Sequence, residues 1–183
     1  MLDDPRVQRG IEWITAYQRF DDGYGDDEAP TGWPYDSWEM CWGRHTYHMG
    51  AIKALKALAA IPPERRSPAV ERTLVQGAEF MLRHHVHKRS PDLAKVSKPG
   101  WRRLGFPLMY QTDVLEILGI LTALGYRDER MQEALHLVAG KADAQGRWKL
   151  ESTFNDRFLV PIEAKGEPSR WVTLEALRVL KMA

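Results

Sequence analysis

The chain has 183 residues, 44% of them apolar and 28% charged, and a formal net charge of +1. This composition excludes disorder over most of the length and allows one sizeable core without disulfide staples. The balance of 26 Lys and Arg against 25 Asp and Glu provides no global field for nucleic acid or an anionic membrane, so binding to either would have to be local, and nucleic acid is not expected as a partner. One cysteine rules out an intramolecular disulfide framework and fits a reducing compartment. No apolar run reaches the roughly 18 residues of a membrane span, and Met1-Leu2-Asp3-Asp4 is acidic where a signal peptide is basic. A cytoplasmic protein is expected.

Asp4-Pro5-Arg6-Val7 opens the first predicted helix: an Asp cap precedes a proline whose missing N–H would be an orphan anyway. Val7, Ile11 and Ile14 then recur at helical spacing. Residues 21–40 form a long connection rich in Gly, Pro and charge, with Trp33, Tyr35 and Trp38. Cys41, His45 and His48 follow at i, i+4 and i+7, on one face if a helix begins near Met40. Thiolate and imidazole are preferred zinc donors, so this trio is the candidate metal site, with Asp113 as a fourth ligand. A buried cysteine beside two hydrogen-bonded imidazoles is the alternative.

An apolar helix is predicted over 50–61, and Ser67-Pro68-Ala69-Val70 opens the next amphipathic one, with Val70, Leu74 and Met81 on its inner face. Beyond it lies a basic stretch, His84, His85, His87, Lys88 and Arg89, continuing to Lys95, Lys98, Arg102 and Arg103. It reads as a phosphate site or as a solvated connection. The connection over 87–107 carries Trp101 and Phe106, and a second apolar helix is predicted over 112–124. Asp113 at its start is a candidate general acid, paired with His45 as the catalytic set, or an N-terminal charge favoured by the helix dipole. Trp42, Tyr110 and Trp171, near the starts of apolar helices, are the candidate ligand-binding residues, and Tyr47 sits with them. Asp128-Glu129-Arg130-Met131 opens the third amphipathic helix, with Met131, Leu135 and Val138 inward. A third connection, 143–168, leads to the last apolar segment, 172–180.

Ala54-Leu55-Lys56-Ala57-Leu58, Ile120-Leu121-Thr122-Ala123-Leu124 and Ala176-Leu177-Arg178-Val179-Leu180 match position by position. The implied period of about sixty residues divides the chain into repeats over roughly 4–61, 67–124 and 128–181. Strand signals are confined to Phe158-Leu159-Val160. The predicted fold class is therefore all-α: three helical hairpins in one domain, layered as a partial ring or solenoid. Three hairpins leave the end helices with apolar flanks, so a homo-oligomer, or a piece of a longer chain, is expected.

Arg9-Gly10-Ile11-Glu12-Trp13-Ile14, followed by Gln18 and Gly23-Tyr24, resembles the repeat of the terpenoid cyclase and protein prenyltransferase superfamily. Gln145-Gly146-Arg147-Trp148 and Gln76-Gly77 with Phe80-Met81 carry the same signature in the other repeats. Pro168-Ser169-Arg170-Trp171-Val172-Thr173-Leu174, and Phe106-Pro107 through Asp113-Val114-Leu115, resemble members of bacteria and archaea with no assigned function. The resemblance implies an α/α toroid around a central cavity, isoprenoid cyclisation or prenyl transfer, and zinc held by Asp, Cys and His. The chain departs from the family at its acidic motif, where only Asp113 matches Asp-x-Asp-Asp. Asp21-Asp22 with Asp26 is a solvated acidic loop rather than a magnesium motif, and Cys41-Trp42-Gly43-Arg44 is not a thioester sequence. The leading expectation is a helical domain binding a hydrophobic, isoprenoid-class ligand in an aromatic cavity. The alternative is a non-catalytic interaction or oligomerisation module.

Overall fold

The computed structural model describes residues 2–22 and 46–183. The chain divides into two compact units, Met1–Phe80 and Met81–Ala183, with the division falling inside a helix.

In the first unit, α1 (Pro5–Tyr17) begins as its cap predicts, with Asp4 accepting a hydrogen bond from the Arg6 N–H. Its apolar face is only half-buried, and none of its residues is fully buried. The next helix, α2 (His48–Ala59), buries Ala51, Ile52, Ala54, Leu55 and Leu58. It packs tightly on α3 (Pro68–Arg83) because Gly77 has no side chain: a Cβ there would overlap Leu55 and Phe20. Ahead of α2, Thr46 is joined to Asp21 twice, once through its hydroxyl at 3.0 Å and once through its backbone N–H at 3.2 Å.

The second unit is built around α4 (Val114–Ala123), whose buried positions run almost all round the helix. A helix apolar on every face must be enclosed. It is flanked by α5 (Gln132–Ala139) and α6 (Arg170–Met182). The third apolar segment is less enclosed than the sequence predicts. On α6 only Val172, Ala176 and Val179 are buried, while Trp171, Leu174 and Leu177 face outward.

The all-α prediction is overturned. The described residues are about 53% helical, and two small antiparallel sheets of two strands each make the fold mixed α and β. One pairs β1 (Lys88–Arg89) with β2 (Asp92–Val96), and the other pairs β3 (Trp148–Lys149) with β4 (Pro168–Ser169). These strands lie in the long connections predicted to be irregular. Periodicity misses them because three of the four are two residues long and none is an apolar alternating run; partners elsewhere in the chain create them. The one predicted strand, Phe158-Leu159-Val160, is instead an open loop with Leu159 and Val160 exposed. No helix among the described residues is long and apolar enough to cross a membrane.

Candidate functional site

Of the sequence-predicted site residues, Cys41, Trp42 and His45 lie outside the described residues. His48 is described: it opens α2, half-buried, with its ring set edge-on to Phe80 at a centroid distance of 5.0 Å. Asp113, Tyr110 and Trp171 all belong to the second unit and can be placed against one another.

Asp113 is 1% exposed and N-caps α4. One carboxylate oxygen accepts the Glu116 N–H at 2.9 Å, and the other accepts the Gly105 N–H at 2.8 Å. Burial pushes its carboxyl up to about 7, with the nearby Glu116 carboxylate adding to the shift and the N–H donors opposing it. Both oxygens are thus committed to backbone amides. Gly105 is small for a reason: a Cβ would lie 3.2 Å from both the Leu108 side chain and the Ser152 carbonyl. The same segment is fastened on its other side. Phe106 N–H donates to the Ser152 carbonyl at 3.2 Å, and the Glu151 and Ser152 amides donate to the Leu104 carbonyl. The Leu104 N–H donates to the Glu151 carboxylate, which also takes the Lys141 ammonium at 2.6 Å.

This clamp presents Phe106 to Trp171 of α6. The two rings are stacked, 5.0 Å between centroids and 12° between planes, and Trp171 remains 45% exposed. Four residues on, Tyr110 tilts against Phe154 at 5.5 Å and is 65% exposed. Trp171 is held by the start of α6, where Ser169 caps the Val172 N–H at 3.0 Å. The Ser169 hydroxyl in turn donates to Glu163, which also accepts the Arg170 N–H. Phe106 with Trp171, and Tyr110 with Phe154, therefore form two open aromatic pairs carried by one tethered backbone segment. Asp113 lies beneath it as the tether, and its carboxylate is not presented to a ligand. Phe106 was visible in the sequence as a loop aromatic. Glu151 and Glu163 carried no sequence signal, because their partners, backbone amides together with Lys141 and the Ser169 hydroxyl, are brought to them by the fold.

A second arrangement falls within the basic stretch the sequence singles out, although its link to Glu133 carries no sequence signal. After α3 the chain turns through two left-handed residues, His85 (φ 43°) and Val86 (φ 69°), with the His87 N–H bonded to the His85 carbonyl. This γ-turn geometry is strained for a branched residue. It buries His87, whose Nδ1 has no hydrogen-bond partner among the described residues and whose Nε2 lies 3.8 Å from Glu133. Glu133 is paired with Lys88 at 2.5 Å. Burial holds the His87 imidazole below its usual range, against the pull of Glu133. A cavity of about 320 Å³ opens elsewhere in the unit, beside Tyr126, Arg127, Met131 and Leu135, and none of the sequence-predicted site residues lines it.

No protein-family model matches the chain, and neither does any curated protein or solved structure.

Proposed function

We propose that the second unit is a binding module whose aromatic surface takes a hydrophobic ligand with flat or unsaturated apolar groups. An isoprenoid is the class that the superfamily resemblance implies. The observation carrying this reading is the Phe106–Trp171 stack, which keeps almost half of Trp171 open while the backbone on both sides is fixed. Large rings on a pre-ordered backbone bind with little loss of conformational freedom, and each contributes a large apolar area. The reading assigns binding and no reaction, since the role Asp113 plays here is to hold Gly105.

Calorimetric titration of the full chain with a soluble isoprenoid alcohol tests it. Trp171→Ala and Phe106→Ala should each weaken binding by about tenfold, the value of one lost aromatic contact of about 1.4 kcal/mol. Trp13→Ala, in the first unit, should leave binding unchanged. Equal affinity for all three variants and the parent chain would remove the proposal. The second reading, an oligomerisation module, is favoured by a separate observation: Leu174 and Leu177 lie exposed on α6 beside Trp171. Sedimentation of the parent and of Leu174→Ser/Leu177→Ser discriminates, because only this reading requires the mass to change.

A further inference from the structure

The formal charge of +1 conceals a strong local asymmetry. Between Arg83 and Arg103 the chain carries seven Lys and Arg side chains against the single carboxylate of Asp92, a local +6, so the remainder carries −5. The structure shows what this stretch is: the end of α3, the β1–β2 hairpin, and the short 3₁₀ turn Pro99–Arg102, all within the second unit.

Some of these cations are already used. Lys88 points inward from β1 to Glu133, Lys95 pairs with Asp92 at 2.9 Å, and Arg83 and Lys98 are engaged as well. Arg89, Arg102 and Arg103 remain. All three are exposed, and among the described residues none has a carboxylate partner. Strand alternation explains the first: with Lys88 buried, Arg89 must face outward. The other two flank the end of the 3₁₀ turn, whose Trp101 is buried and anchors it.

We propose that this basic hairpin arm docks on the phosphate backbone of a nucleic acid, with Arg89, Arg102 and Arg103 as the phosphate contacts. Three features of the arm select this partner. All the uncommitted cations are arginines, whose planar forks match phosphate oxygens in pairs. Leu93 is the one large apolar side chain exposed on the arm, which gives a lipid surface little to bury. An acidic peptide adding as a third strand would find few backbone groups, since β1 is two residues long with a register break and the Ala94 N–H is taken by the Asp92 side chain. Discrete phosphate contacts along a charged backbone need none of these.

Fluorescence anisotropy of the full chain with a labelled RNA oligonucleotide of about 20 nucleotides tests the proposal, with phosphatidylserine vesicles and polyglutamate as the competing probes. Three contacts predict a slope of log affinity on log salt of about −2 to −3, or about a 30-fold loss from roughly 50 to 200 mM salt. The triple variant Arg89→Glu/Arg102→Glu/Arg103→Glu should abolish binding. The gentler Arg102→Gln/Arg103→Gln should weaken it and reduce the slope by about two, with the melting temperature unchanged in both. Trp171→Ala should bind the RNA as the parent does, so this inference and the ligand-binding proposal fail separately. Absence of RNA binding overturns the inference, as does binding that survives the triple variant, or tighter binding to the vesicles or to polyglutamate.

Discussion

Asp113 and Asp128 are the same residue type in the same local role, each capping the start of a helical segment through its side chain. Their surroundings drive them in opposite directions. Asp113 is buried with only backbone amides for partners, and burial pushes its carboxyl up to about 7. Asp128 is gripped by the Arg130 guanidinium at 2.9 and 2.7 Å, which holds its carboxyl down to about 2. A cap is a local device, yet whether it can also join distant segments depends on what lies beyond the helix. Among the described residues Asp128 bonds only within its own turn, whereas Asp113 reaches Gly105 and so fixes the segment carrying Phe106.

The largest expected effect follows from that reach. Asp113→Ala leaves two amides without an acceptor, one a helix cap and one a buried loop tie, and should destabilise the chain by about 3 kcal/mol. Urea unfolding measures it. Asp113→Asn can still cap Glu116 through its carbonyl, but its NH₂ group then meets the Gly105 N–H, so the loss should be about 1–2 kcal/mol.

Titration separates the two caps next. The native carboxyl of Asp113 lies above its unfolded value, so between about pH 4 and 7 the native state binds more protons. Stability should therefore fall as pH rises through that window, by a few kcal/mol in all, and should be level above it. His87 acts in the other direction: its native imidazole is depressed, so its contribution is complete above about pH 6.5 and is lost as pH falls. The difference between the parent and Asp113→Asn isolates the carboxyl, and an identical pH profile for the two would refute the raised value. Asp128, with its depressed carboxyl, contributes stability above about pH 4 that disappears toward pH 2. Asp128→Ala should cost about 1 kcal/mol at neutral pH, the value of an ordinary cap.

These caps also mark what the sequence made legible. The openings at Asp4-Pro5, Ser67-Pro68 and Asp128 are where helical segments begin, and Val70, Leu74, Met81, Met131, Leu135 and Val138 are buried as their spacing predicts. Asp113 could be read as a cap because that role depends on neighbours three residues away. Its tie to Gly105, eight residues back, lies off the helix, and the meeting of Leu104 with Glu151 and the Phe106–Trp171 stack join segments far apart in the chain; helical periodicity contains no information about any of them. The β3–β4 pair was missed for the same reason, and the β1–β2 pair because its adjoining strands are short and carry no alternating apolar run. The exposure of α6 was missed for another: its apolar pattern matches that of α4, but α4 is covered on all sides and α6 on one. Of the predicted metal trio, only His48 falls among the described residues.

The smallest expected effect tests the cause of the contrast. Arg130→Gln removes the guanidinium from Asp128 but leaves the Arg130 backbone N–H, which the same carboxylate also accepts at 2.9 Å. The cap should therefore survive, and the stability change at neutral pH should be no more than about 0.5 kcal/mol, shrinking further with added salt as for other pairs near the surface. The carboxyl itself should respond clearly. With its chief partner gone, the Asp128 titration followed by carbon NMR should move up from about 2 toward the ordinary value of 3.8, where the Arg130 backbone N–H opposes the upward pull of burial. Asp113 in the same sample should not move. A rise of Asp128 well past the ordinary value would mean that burial rather than the guanidinium sets both caps, and the contrast between them would be one of degree.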